Sequence, residues 1–155
     1  MKKIILLAIV LSLSLSGCFL LNKQDMAELA KDNTYHYQNK DLGFSVNLPS
    51  QFQYYQVQRK QVPDFTDVEI FVPTNDAVYP QEVPSYAKPV VVRIYNRDFW
   101  NTIGDDRDEK KLYQKTGEKG DRIYTIRFWE KIPADWGGRW NDDMKDKILK
   151  SFRVK

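Results

Sequence analysis

The chain has 155 residues, 24 Lys and Arg against 21 Asp and Glu, and a formal net charge of +3. Lys2 and Lys3 supply two of those charges, and without them the balance falls to about +1, which removes the main electrostatic argument for nucleic acid as a partner. A single cysteine excludes an internal disulfide, and an aromatic content of 14% favours a sheet-rich core.

The first element is the run "IILLAIVLSLSL", Ile4 to Leu15, placed directly after Lys2 and Lys3 and followed by the small residues Ser16 and Gly17. A charged start, a short apolar stretch and a small-residue zone make a secretory signal over residues 1–17. The apolar run is shorter than the roughly 20 helical residues that a hydrocarbon core requires, so the layout argues against a permanent transmembrane helix. Its tail, Leu15-Ser16-Gly17-Cys18, resembles the bacterial lipobox. That resemblance implies a diacylglyceryl thioether on Cys18 and cleavage just before it. Lipidation would also explain an unpaired thiol in an exported chain, and two acyl chains suffice for stable attachment without a polybasic cluster. Phe19 stands where an aspartate would retain such a protein at an inner membrane. The implied location is therefore the extracytoplasmic face of a cell membrane or outer membrane.

Residues 18–33 read as the lipidated cysteine and a tether, with "DMAELAKD" able to form a short helix. A single domain is expected over 34–155. "TYHYQN" and "GFSVNLP" read as two strands around a turn at Asn39–Gly43, with Phe44, Val46 and Leu48 on one face and Pro49 ending the second strand. "FQYYQVQRK" continues in the same way, and "DVEIFVP" places Val68, Ile70 and Val72 on one side. Thr74 to Pro89, with three prolines, reads as a long loop. "VVVRIYNR" is the most continuous apolar strand and is expected to be central. "DFWNTIGDD" reads as a helical turn with Asp98 as N-cap and Gly104 as its stop, followed by a solvated charged link, "DDRDEKK". A hairpin with the turn "TGEKGD" follows, its second strand presenting Tyr124, Ile126 and Phe128 together. The last element is a helix: Trp140, Met144, Ile148 and Phe152 recur every four residues, Leu149 widens the stripe, and the charges follow the macrodipole. The chain then leaves near Ser151 to end as a short strand. These elements add up to an α+β domain, an antiparallel sheet of about six strands covered by a C-terminal helix.

"YHYQNKDLGFSVNLPSQF", Tyr35 to Phe52, and "DKILKSFRV", Asp146 to Val154, resemble the opening and the ending of PsbP-like domains. The resemblance implies an antiparallel sheet flanked by helices and a non-catalytic accessory role. It carries over no site residue, because the middle of the chain is unmatched.

Motifs for catalysis are sparse. With Cys18 lipidated, a cysteine nucleophile is excluded. There is no G-x-S-x-G elbow, no H-E-x-x-H and no P-loop. His36, the only histidine, sits between two tyrosines in a strand and reads as a partly exposed strand residue rather than a general base. Asp105, Asp106, Asp108 and Glu109 could offer oxygens to calcium, but Arg107 interrupts them and the spacing is not that of an EF-hand, so a solvated loop is the better reading. No cofactor, metal site or catalytic residue is therefore expected. The aromatic groups in "FWEKIPADWGGRW" are the candidate ligand contacts: Trp136 and Trp129, which could stack on a sugar or anchor a protein, with Tyr86 in a second possible contact loop. Trp140 belongs to the helix stripe and is assigned to the core. The expected function is a non-catalytic, membrane-anchored lipoprotein that binds a protein or glycan partner at the envelope; the alternatives are an envelope hydrolase acting through carboxylates and a purely structural lipoprotein without a ligand. Cys18→Ser should abolish incorporation of radiolabelled palmitate and leave the precursor uncut on a gel; labelling that survives the substitution would refute the anchor.

Overall fold

The computed structural model describes residues 28–104 and 108–155. The signal, Cys18, most of the tether, and Asp105 and Asp106 of the acidic cluster lie outside the described residues. Residues 28–33 run through a turn into the first strand, tied by Ala30 N–H to Thr34 O at 2.9 Å and by Asn33 Nδ2 to Ser50 Oγ at 3.1 Å.

The architecture is α+β and antiparallel, as the periodicities imply, but its strands divide between two sheets. β1 (Thr34–Asn39), β2 (Phe44–Pro49) and β8 (Arg153–Val154) form a small sheet in the order β1-β2-β8. β3 (Gln56–Gln61), β4 (Phe65–Pro73), β5 (Tyr86–Asn96), β6 (Gln114–Lys119) and β7 (Arg122–Phe128) form a large one in the order β3-β4-β5-β7-β6. β5 is its middle strand. α1 (Arg97–Thr102) and α2 (Asp108–Leu112) link β5 to β6, and α3 (Asp142–Ser151) precedes β8.

The period-two pattern of β2 buries Phe44, Val46 and Leu48 completely. They meet Val68, Ile70 and Val72 of β4, Val90 and Val92 of β5, Tyr124 and Ile126 of β7, and Met144 and Ile148 of α3 in one core. Phe44 stacks on Phe152 at 5.4 Å where helix passes into strand. α3 begins at Asn141, whose side chain accepts from Met144 N–H at 2.9 Å. Its acidic first turn and Lys150 in the last complement the dipole.

Five local readings change, the first being the charged link, whose residues 108–111 lie in the helix α2. The segment from Thr74 is loop only as far as Ser85, because Tyr86–Pro89 joins β5; a bulge between Ile70 and Val72 takes up the irregularity near Pro89. Asn96, not Asp98, precedes α1, and Asp98 lies within its first turn, so its charge acts on the helix end without capping it. α1 stops at Ile103 rather than at Gly104. The β6–β7 turn is the two-residue Gly120–Asp121: Gly120 adopts a φ of 55°, and a bulge at Thr116 restores the register.

β8 closes the structure against both hairpins. Lys155 N–H bonds Gly43 O at 2.8 Å, and a methyl group built on Gly117 would stand 2.7 Å from Val154 Cγ2. Gly117→Ala should therefore destabilise the domain by about 1–3 kcal/mol through overpacking. Urea denaturation checks it: adding Val154→Ala should recover part of the loss, and strictly additive effects would disprove the contact.

Candidate polar groove on the large sheet

Strand alternation that turns Val68, Ile70 and Val72 into the core sends Asp67, Glu69 and Phe71 to the opposite face. Register then sets Asp67 opposite Arg93 of β5, and Arg93 opposite Thr125 of β7. At one end this outer face is covered by α1, where Tyr95, Ile103 and Ile123 make a small core with Phe65, Phe99 and Trp100. Elsewhere it is hollow. An open cavity of about 450 Å³ lies beside loop 74–85, lined by Phe71, Tyr79, Tyr86, Trp129 and their neighbours. A second, of about 520 Å³, lies beside α2, over Asp67, Glu69, Arg93 and Tyr113. Glu82, Lys88 and Arg127 belong to both, so the two form one groove.

The floor of the groove is charged. Arg93 grips Asp67 with two nitrogens, at 2.7 and 2.8 Å, and gives a third bond to Glu109 at 2.8 Å. Its guanidinium lies 3.7 Å from the Phe65 ring centre and 4.3 Å from that of Tyr113. Tyr95 donates its hydroxyl to Glu109 at 2.9 Å. Lys88 reaches Glu69 at 2.8 Å and both oxygens of Glu82 at 2.7 Å. Asp67 and Glu69 are buried, and this pairing is what makes their burial tolerable. Burial works against the charges on Arg93 and Lys88, but their carboxylate partners outweigh it and hold both above their ordinary pKa. Arg127 differs. It stands at the junction of the cavities, 5.1 Å from the Tyr113 ring centre, with no carboxylate partner among the described residues.

Chemically, the arrangement suits binding better than proton transfer. Asp67, Glu69, Glu82 and Glu109 already accept short ionic bonds, while Glu130 on the wall of the first cavity has no ionic partner among the described residues. Arg127 offers N–H groups outward, and Tyr79, Tyr86 and Trp129 offer faces and hydroxyls beside it.

Of the residues the sequence singled out, the structure brings Tyr86 and Trp129 together in the groove wall and removes Trp136 from it. Trp136 is buried, its indole donating to Pro73 O at 2.9 Å and packing edge-on to Phe52 at 5.9 Å. A short 3₁₀ turn, Ala134–Trp136, aims this side chain into the core, so it is no ligand contact. Trp129 packs 5.6 Å from Trp136 and 5.1 Å from Trp140, both edge-to-face. The Nε1 groups of Trp129 and Trp140 have no hydrogen-bond partner among the described residues. His36 lies apart and exposed, 2.8 Å from Asp32, and together with Thr34 it holds the Asp32 carboxyl below the usual range. Glu109 belongs to the Arg93 cluster and Asp108 is exposed. Among the described residues, no group of His, Cys, Asp and Glu is placed to hold a metal ion.

The sequence reading missed Asp67, Glu69, Arg93 and Arg127. Their signal was present: charges placed at alternate positions of strands too apolar to face water. Comparison of the chain with family models, with curated proteins and with solved structures gives no match.

Arg93→Ala should cost about 3 kcal/mol or more in urea denaturation, because it leaves the buried Asp67 carboxylate without its counter-charge; the double variant with Asp67→Asn should be more stable than Arg93→Ala alone. An alkaline limit follows from the tyrosines. Burial raises the hydroxyl pKa of Tyr37, Tyr95 and Tyr113 above 10.0 and pushes Tyr55 up to about 12. A group that holds its proton more tightly when folded contributes stability that is whole below its unfolded pKa and lost as pH rises through the folded one. Stability should therefore hold to about pH 10 and fall steeply towards pH 12, with the buried tyrosines ionising late in a phenolate absorbance titration. Early, simultaneous ionisation would contradict the packing.

Proposed function

We propose that the chain is a membrane-anchored extracytoplasmic lipoprotein whose domain is a non-catalytic binding module. It takes an envelope protein or glycan along the outer face of β4, β5 and β7. The observation that carries the reading is the state of the charges in the groove. Arg93 and Lys88 tie up Asp67, Glu69, Glu82 and Glu109, while Arg127 is left to face a ligand between aromatic walls. A groove built in this way recognises an extended polar molecule by hydrogen bonding and stacking, and keeps the carboxylates of its floor occupied. The lipobox-like Leu15–Cys18 supports the anchor, and the likeness of both ends of the domain to PsbP-like domains supports an accessory role.

A photoreactive aromatic residue at position 86, incorporated in the native host, tests this. A protein partner should give one discrete adduct, and a glycan partner should retain the domain on purified cell-wall material. Arg127→Glu should abolish either signal while leaving the thermal unfolding midpoint nearly unchanged. Cleavage of envelope glycan or peptide by the purified protein, lost in Glu69→Gln, would overturn the reading in favour of a hydrolase.

A further inference from the structure

Exposed apolar side chains are gathered at one end of the domain. Five large hydrophobic residues are exposed among those described: Leu29, Tyr54, Val78, Leu112 and Ile132. Leu112 ends α2, beside the second cavity. The other four are at the end of the molecule where the chain enters from Cys18. Thr34 pairs with Pro49, so β1 starts where β2 stops, and the segment 50–55 crosses from there to Gln56. Gln56 lies opposite Phe71, near the end of β4. Loop 74–85 leaves from that end, and residues 129–141 leave from β7 beside it, Trp129 N–H bonding Pro89 O at 3.1 Å.

Two aspartates hold these loops in place. Asp76 accepts from Ala134 N–H at 2.8 Å and from Val78 N–H at 3.0 Å. Asp135 accepts from the Thr74 hydroxyl at 2.7 Å and from Asn75 N–H at 3.0 Å. Val78 and Ile132 are thus each two residues from the same hydrogen bond, and the clasp presents both outward; Val78 is 84% exposed. Tyr54 is 59% exposed and held at a φ of 61°, a conformation unfavourable for a bulky side chain. The turn at Tyr54, closed by Tyr55 N–H to Phe52 O at 3.0 Å, lets Phe52 and Tyr55 on either side pack into the core and leaves the Tyr54 ring outside. Lys31 and Lys131 stand exposed beside Leu29 and Ile132, with the acidic Glu28, Asp32 and Glu130 exposed next to them.

We infer that this end of the domain, carrying Leu29, Tyr54, Val78 and Ile132, rests on the lipid surface to which the chain is anchored. The inference rests on the lipid-anchor reading. Fifteen residues separate Cys18 from Thr34, so this is the end of the domain that the anchor reaches first. Apolar side chains and one tyrosine, set among charges of mixed sign, suit a headgroup boundary, where apolar groups bury shallowly and both charge types stay in water. The polar groove, which runs away from this end along the sheet, is then left open to the side.

Lipidation of Cys18 leaves the chain without a free thiol, so an introduced cysteine can be labelled uniquely. Full-length lipidated protein bearing Val78→Cys, Ile132→Cys or, as control, Leu112→Cys would carry an environment-sensitive fluorophore and be reconstituted in phosphatidylethanolamine–phosphatidylglycerol vesicles. Labels at 78 and 132 should be quenched by lipids spin-labelled near the headgroup, and the label at 112 should not. Flotation of the vesicles reads the anchor separately. Protein that floats while positions 78 and 132 remain unquenched overturns this inference and leaves the anchor standing. Labels shielded from water yet unquenched by lipid also overturn it, because the occupant would then be protein. Protein that fails to float overturns both readings.

Discussion

The rest of the structure depends on one constraint: β4 and β5, the second and third strands of the large sheet, have almost no contact with water on either face. A strand that is apolar on one side needs one cover. These two need a second, and the two covers are built differently. On the inner face, β2 and α3 bring Phe44, Leu48, Met144 and Ile148 onto a row of valines and isoleucines, and the driving force is removal of apolar surface from water. On the outer face, the cover is the side chains of the sheet itself, Arg93 and Lys88 lying flat over Asp67 and Glu69 and over the rings of Phe65 and Phe71. The first arrangement gives the fold. The second leaves a hollow whose chemistry is already half satisfied.

That half-satisfied state separates the two ways in which the groove could act. A buried carboxylate with no partner would be poised to take a proton. A carboxylate held by two parallel N–H bonds is instead fixed in place and spends its charge on a neighbour. The floor of the groove is therefore a fixed pattern of paired charges, with Arg127 and Lys60 beside it lacking a carboxylate partner among the described residues. Neither α2 nor loop 74–85 closes over it, so a long molecule can lie along it without either end being enclosed.

What the sequence disclosed and what it hid follow from the range of the interactions. The alternation of Phe44, Val46 and Leu48 and the four-residue recurrence from Trp140 to Phe152 are local, and both elements lie where those patterns put them. The charged floor depends on residues 26 positions apart in the chain, Asp67 and Arg93, meeting through strand register, and no local pattern reports that. The division of the strands between two sheets was hidden for the same reason: β2 reaches β8 across more than a hundred residues. Trp136 misled because a Gly-Gly bend and a proline suggest an exposed loop, while one 3₁₀ turn is enough to swing an indole inward. Trp129 and Tyr86 do border the first cavity, Tyr86 at the start of β5 and Trp129 just past the end of β7.

The pairing of residues 153–155 with β2 has a bearing on biogenesis. This short stretch holds the β1–β2 hairpin to the β6–β7 hairpin, through Lys155 at Gly43, Val154 at Gly117 and the Lys119 amine on Lys155 O at 2.7 Å. It is also the last part of the domain to be synthesised. Until it emerges, the two hairpins have no common strand, and the valine-rich inner face waits for a helix that is translated just before it. Completion of the domain thus depends on its final element, and loss of residues 153–155 would part the two hairpins even with the rest of the chain in place.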